Sequence, residues 1–364
     1  MTGKRHTHYR TCNLCESMCG VEIEMDGREL LSVRGDKDDV FSRGHVCPKA
    51  TALKDLYDDP DRLKQPVRRV GDSWQPISWE EAFSEVIDRI DQIQQDHGRD
   101  SVGVYLGNPN AHNFGTMVFG PPFLRTLGSK NRFSATSCDQ LPLMMASYFM
   151  FGHQLLFPVP DVDRTDFMMI LGANPLASNG SIMAGPGIKK RLEGIRQRGG
   201  RVVVVDPRRS ETARIADEHL FIQPSTDALF LLGLLHEICA QGIDLGRLSG
   251  SVKNLGRIEE IAKGYPPAQT ESVTGVSADT VTRLAREILS APTAVLYGRM
   301  GASTQEFGTL CMWLINVINA ITGNLDEPGG SLFSTPAIDV LGSVGGFGAG
   351  RGSFGRWRSR VRNL

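Results

Sequence analysis

Phe167-Met168-Met169-Ile170-Leu171 runs into Gly172-Ala173-Asn174-Pro175, and further on Val202-Val203-Val204-Val205 runs into Asp206-Pro207-Arg208-Arg209. Both runs are short, wholly apolar and bounded by turn formers, as expected of strands buried on both faces. Between them the stretch from Ile188 to Arg198 alternates apolar and basic residues at helical spacing and stops at Gly199-Gly200. Strand, helix and strand in that order predict a βαβ crossover, hence an α/β fold with mainly parallel sheets. A third run, Leu220-Phe221-Ile222, releases into Pro224-Ser225-Thr226-Asp227, where Thr226 or Asp227 can cap a helix through Leu235.

Three successive strand ends therefore present Asn174, Asp206, Arg208 and Asp227. Open α/β sheets bind ligands at the carboxyl ends of their strands. Acids that accept from a base edge or ribose hydroxyl, with an arginine near phosphate, suit a nucleotide. The same residue types also cap turns and helices for structural reasons alone. No G-x-G-x-x-G follows either strand, which counts against an ordinary NAD-binding unit.

Upstream, after a linker from Asp59-Pro60 to Pro66-Val67, Ser78-Trp79-Glu80-Glu81 opens a helix whose apolar positions are Ala82, Phe83, Val86, Ile87, Ile90 and Ile93. Val102 to Leu106 reads as a strand ending at Gly107-Asn108-Pro109-Asn110.

The N-terminus carries a different signal. Cys12, Cys15, Cys19 and Cys47 form C-x2-C-x3-C-x27-C. Three cysteines close together can wrap one side of a [4Fe–4S] cluster while a distant fourth closes it. Structural zinc more often takes two matching knuckles, C-x2-C and C-x2-C. Val21 to Met25 alternates and meets Asp26-Gly27, a strand and hairpin turn that predict a small β-rich lobe. Lys49 follows Cys47-Pro48 and places a cation beside the last thiolate; by itself it reads as one solvated cation among 40 Lys and Arg residues.

Cys138 precedes the apolar stretch Leu143 to Phe151. A thiol just before a helix feels the positive end of its dipole and is biased toward the thiolate that binds metals, although a lone cysteine is often structural. Cys239 and Cys311 sit in apolar stretches and read as core thiols. With 40 basic and 41 acidic residues, nothing calls for nucleic acid or a membrane surface. No apolar run reaches the roughly 18 residues of a spanning helix, so no membrane insertion is expected. The polar start, Met1 to Arg10, shows no leader with an apolar core and predicts a cytoplasmic protein.

Together these segments resemble the catalytic subunits of the molybdenum or tungsten bis-pterin oxidoreductases, which include formate dehydrogenases, nitrate reductases and dimethyl sulfoxide reductase. The resemblance runs from about residue 11 to 335. It rests on the cysteine quartet with Cys47-Pro48-Lys49, on Leu171 to Pro175, on Val205 to Arg209 with Glu211-Thr212-Ala213, and on Ser225-Thr226-Asp227. It rests also on Gly298-Arg299-Met300-Gly301, Ile321-Thr322-Gly323-Asn324 and Pro328-Gly329-Gly330.

The resemblance implies a [4Fe–4S] cluster on Cys12, Cys15, Cys19 and Cys47, with Lys49 between it and a molybdopterin guanine dinucleotide (bis-MGD). It implies nucleotide contacts from Gly172, Asn174, Asp206, Arg208, Ser225 and Asp227, and molybdenum or tungsten ligated by Cys138, with Asp139 the alternative. Soft thiolate suits a metal already held by dithiolene sulfur. Where Ser225 stands the family usually has Gly.

The expected layout is a cluster domain over 8–64, a second α/β domain over 65–133 with 325–364, and a third over 134–324 that holds the nucleotide. The expected activity is a two-electron oxidoreduction of a small molecule, with formate first and nitrate second as substrate. A redox partner protein or electron-transfer subunit takes part. A hydratase on the same scaffold, or an iron–sulfur electron-transfer piece without pterin, are the other readings. Family members run to about twice this length and end in a β-barrel domain, so this sequence is expected to be part of a longer enzyme or to need a separate chain that supplies that domain.

Overall fold

The computed structural model describes residues 5–335. The Gly-rich and basic stretch beyond, assigned above to the second α/β domain, lies outside the described residues. Between Ala135 and Thr136 the chain divides into two compact units.

The first unit opens with the antiparallel sheet β1 (Arg5–Thr11), β2 (Gly20–Asp26) and β3 (Glu29–Gly35), turning at Gly27 as expected. Val21, Leu30, Val33 and Ala50 pack with Cys12 and Cys19 in its core. A Cβ on Gly35 would stand 2.1 Å from the carbonyl oxygen of Gly44. Only glycine lets β3 press so closely on the segment that leads into Cys47.

A hairpin follows, β4 (Val67–Val70) with β5 (Ser73–Pro76), and then the helix Trp79–His97. Its capping box is complete: the Ser78 hydroxyl accepts from Glu81 N–H at 3.1 Å, and the Glu81 carboxylate accepts from Ser78 N–H at 2.9 Å. β6 (Val104–Leu106) and β7 (Arg132–Ser134) pair in parallel across the helix Phe114–Leu127. This two-stranded sheet leaves its helices bare. Phe83 and Ile87 are 59% and 56% exposed, and Phe119 and Phe123 are 73% and 55% exposed. Parallel sheets are normally covered on both faces, and here several large apolar side chains of the two helices stay more than half exposed among the described residues.

The second unit holds β8 (Pro158–Pro160), β9 (Phe167–Leu171), β10 (Arg201–Val205), β11 (Glu218–Leu220), β12 (Ala294–Gly298) and β13 (Ser331–Phe333). The main sheet runs β11-β10-β9-β12, all parallel, and β13 pairs antiparallel with β8. Alternation sends Phe167, Met169, Leu171, Val203 and Val205 into one core and Met168, Ile170, Val202 and Val204 into the other. Helices Asp227–Gln241, Ala278–Ser290 and Gly308–Ile321 cover the first face, and Ile188–Gln197 covers the second. Both sides of the sheet are thus dry, which explains the unbroken apolar runs.

Three details depart from expectation. β11 covers Glu218–Leu220 instead of running on to Ile222: Glu218 at its start pairs with Arg201 and, at 2.6 Å, with Arg283, and past Leu220 the chain leaves the sheet with Phe221 exposed and Gln223 N–H donating to the Thr274 carbonyl at 2.9 Å. The helix from Asp227 continues to Gln241 because Leu234, Leu235 and Ile238 are all needed in the core. β12 was not foreseen. Its outer edge is closed by side-chain amides: Asn319 accepts from Leu296 N–H at 2.9 Å and donates to its carbonyl at 3.0 Å, and Asn324 accepts from Ala294 N–H at 2.9 Å. An edge whose backbone groups are already paired cannot recruit another strand.

Candidate cofactor sites

In the first unit, Cys12 follows β1 and Cys19 precedes β2, so three of the four thiols lie in one hairpin loop. Cys12 N–H closes that loop on the Cys19 carbonyl at 2.8 Å. Cys47 stands just before the short helix Pro48–Thr51, where Pro48 supplies the first helical position. Burial, and then the charges of Cys12, Cys15 and Cys47, push the Cys19 thiol up to about 11. Burial likewise raises Cys12, whose neighbours Cys15 and Cys47 add to the effect while Lys49 opposes it. Cys12 and Cys19 thus lie within electrostatic reach of the other two thiols, and Cys12 also within reach of Lys49.

Among the described residues no three His, Cys, Asp or Glu side chains form a single-ion site. A four-thiol donor set of this kind fits a larger iron–sulfur cage.

In the second unit the strand ends converge only in part. Gly172 follows β9 at φ +54°, and a Cβ there would stand 2.4 Å from the Ala302 nitrogen. Its missing side chain admits the Arg299–Ala302 turn, and Gly301 N–H donates to its carbonyl at 2.7 Å. Asn174 is occupied internally. Its Oδ1 accepts from the Thr212 hydroxyl at 2.8 Å and N–H at 3.2 Å, and its Nδ2 donates to Glu211 at 2.6 Å. Arg208 is exposed and turns toward Glu211 at 3.5 Å, while its N–H donates to the Asp206 carboxylate at 2.7 Å.

Asp227 lies within electrostatic reach of Asp206. Asp227 is 5% exposed at the start of its helix. Burial raises its carboxyl above the usual range, a hydrogen bond from Gln305 Nε2 at 2.8 Å opposes this, and the charge of Asp206 adds to the rise. Thr226 does not cap the helix; its hydroxyl donates to the Gln223 carbonyl at 2.7 Å.

Ser225 has φ +67°, the left-handed conformation that costs an L-residue about 1–2 kcal/mol. The family's glycine belongs there for that reason. Ser225→Gly should raise stability by about 0.5–1 kcal/mol, read from the urea midpoint, because the relief of strain is partly offset by glycine's greater freedom when unfolded. A loss of stability would show that the serine hydroxyl matters more than the backbone.

Cys138 lies inside its own helical turn, Thr136–Asp139, before the helix Leu141–Phe151, and it is exposed. Asp139 is not equally free. The buried Arg299 guanidinium donates to the Asp139 carbonyl at 3.1 Å and stands 3.7 Å from its carboxylate, and the Ser303 hydroxyl donates to the same carbonyl at 3.0 Å. Arg299 also donates to the Ser181 hydroxyl at 2.9 Å, in a stretch where Asn179, Gly180, Ser181 and Ala184 all have positive φ. Neither Arg299 nor Gln305 was singled out from sequence for a role. Arg299 at least lies within the Gly298-Arg299-Met300-Gly301 motif, whereas Gln305 carries no local signal.

The chain belongs to the molybdopterin oxidoreductase family, which matches residues 62–351, while the family's Fe4S4 domain matches residues 6–58. Those domains imply a molybdopterin cofactor with molybdenum or tungsten, and a 4Fe–4S cluster. Formate dehydrogenase H of Escherichia coli is 25% identical over 328 residues, which cover 87% of this chain and 44% of that protein. A nitrate reductase of Symbiobacterium thermophilum is 27% identical, with coverage of 93% and 46%. Acetylene hydratase from Pelobacter acetylenicus superposes with a TM-score of 0.73 at 21% identity, over 90% of this chain and 45% of that one. The chain thus spans less than half the length of these relatives. No helix among the described residues is long and apolar enough to cross a membrane.

Proposed function

We propose that this chain is the cofactor-holding half of a molybdenum or tungsten oxidoreductase that removes two electrons from formate. The observation that carries the oxidoreductase reading is that one chain carries both a four-thiol lobe and an α/β unit with Asp206, Asp227 and the exposed Cys138. Formate follows from the similarity to formate dehydrogenase H, and nitrate reduction is the second reading because nitrate reductases are similar to a like degree.

Bound metal and pterin would supply the two-electron chemistry, and the cluster would pass electrons singly to a redox partner. The chain's own groups do the placing. Cys138 offers a soft thiolate to the metal, and Arg299 holds the 138–139 turn while engaging the competing Asp139 carboxylate. Asp206 and Asp227 accept from the nucleotide tail, with Gly172 admitting the backbone turn beside them. Lys49 sets a cation against the anionic cluster. The bare helices around β6 and β7 support a further polypeptide that completes that sheet and shares the substrate pocket.

Cofactor extraction tests the reading. Anaerobically purified protein should release molybdenum or tungsten, pterin fluorescence and guanine nucleotide, together with iron and sulfide. Iron and sulfide alone would reduce it to an electron-transfer piece. Turnover of formate by the assembled protein with a dye acceptor then separates formate from nitrate as substrate.

A further inference from the structure

Successive residues of β1 alternate between its faces, so Thr7 and Tyr9 lie on one side and His6 and His8 on the other. The two histidines are about 6.7 Å apart along the strand, and their rings meet with centroids 4.6 Å apart and planes at 89°. The backbone beneath them is held along its whole length, Arg5 to Thr11 pairing with Asp26 to Gly20 in one unbroken ladder.

That ladder brings a third donor. Met25 lies directly opposite His6, and Ile23 opposite His8. Directly paired residues share a face, with Cβ atoms about 5 Å apart, so the Met25 thioether joins the two imidazoles. Ile23 and Met25 both pack against the core of the lobe. The acids of β2 belong to the other face: Glu22 is paired with Tyr9 and Glu24 with Thr7, and Arg34 stands 3.8 and 3.9 Å from their carboxylates.

The donor set is therefore two imidazoles and a thioether, without a carboxylate from β2. Magnesium and calcium require oxygen ligands. Structural zinc takes four ligands drawn from thiolate, imidazole and carboxylate. Thioether sulfur is soft and selects monovalent copper, which imidazole also suits.

We propose that His6, His8 and Met25 form a copper(I) site on the edge strand of the first unit, separate from the cysteine quartet. Four residues of extended chain, about 13 Å, divide His8 from Cys12, so the two sites share no ligand. His6 is exposed and His8 half-buried, which gives an ion access from solvent. The paired backbone fixes the three Cβ positions, and only side-chain rotation is needed to turn two ring nitrogens and the sulfur to one point.

Anaerobic titration of the cluster-loaded 364-residue chain with copper(I), in competition with bicinchoninate, tests the site. Loading the cluster first keeps the quartet from competing. One equivalent should bind with two imidazole nitrogens and one sulfur in the copper X-ray absorption spectrum. His6→Gln and His8→Gln should each weaken binding at least about tenfold, and Met25→Leu, which keeps the apolar volume, should weaken it and remove the sulfur while both nitrogens stay. Thr7→Ala, on the opposite face, should leave the affinity unchanged, and thermal melting reports that each variant folds.

A copper spectrum with sulfur ligands alone would overturn the site, because the ion would then sit on thiols. Affinity unmoved in both histidine variants would overturn it equally. Loss in the histidine variants with none in Met25→Leu would overturn the three-donor set, and with it the preference for copper(I).

Discussion

Cys19→Ser should empty the N-terminal lobe of its cluster. Anaerobically reconstituted parent protein should hold about four irons and four sulfides per chain, and the variant less than about one of each, with loss of the visible charge-transfer absorbance. The effect is large because Cys19 is buried among the other three thiols and cannot be replaced by solvent or by a neighbouring side chain. A serine oxygen keeps the volume but offers iron a harder and far less acidic donor.

The lobe should also lose stability, since a cluster that binds only the folded form contributes its binding energy to folding. Cys239→Ser is the control. That thiol packs partly against the core of the second unit, with burial pushing it up to about 11, and its loss should leave the iron count untouched. Retention of iron in Cys19→Ser, or stoichiometric zinc in the parent, would sink the assignment of the quartet.

Some of this architecture was plain in the sequence, and the reason is local. β9, and β10 beyond its first residue Arg201, are buried on both faces, so those residues had to be apolar and the turns after them had to be polar. The helix at Trp79 announced itself through Ser78 and Glu81, whose capping box needs no tertiary partner. β12 is just as buried and just as long, but its run Ala294 to Tyr297 was not flanked by a second recognised strand and crossover helix, and a lone apolar run does not distinguish a strand from a piece of buried helix.

The candidate site was legible as residue types more than as roles. Asn174 looked like a ligand donor, but its amide is spent on Thr212 and Glu211, a use that sequence cannot separate from cofactor binding. Ser225 looked like a mild departure from glycine, and only the backbone torsion gives the departure a sign. Gln305 was invisible because its meaning comes entirely from the distant Asp227.

The largest effect on chemistry should come at Cys138. In the assembled, cofactor-loaded protein, Cys138→Ala should abolish turnover and change the molybdenum EPR signal while the cluster spectrum stays as in the parent, because a ligand to one centre is lost and the other lies in a different lobe. Asp139→Ala separates the two candidate ligands. Arg299 and Ser303 both hold the Asp139 carbonyl, a backbone group that survives the substitution, so the 138–139 turn should persist and the metal signal should change little.

What Asp139→Ala does remove is the carboxylate 3.7 Å from the guanidinium of Arg299, whose side chain is only 9% exposed. Leaving a buried cation short of its counter-charge costs stability, typically about 3 kcal/mol when the pair is wholly buried and less here, where Asp139 remains partly accessible. The two variants therefore fail in different currencies: one in the metal spectrum, the other in the urea midpoint. A metal signal lost in Asp139→Ala and kept in Cys138→Ala would transfer the ligand role to the carboxylate, and would require Arg299 to release it when the metal binds.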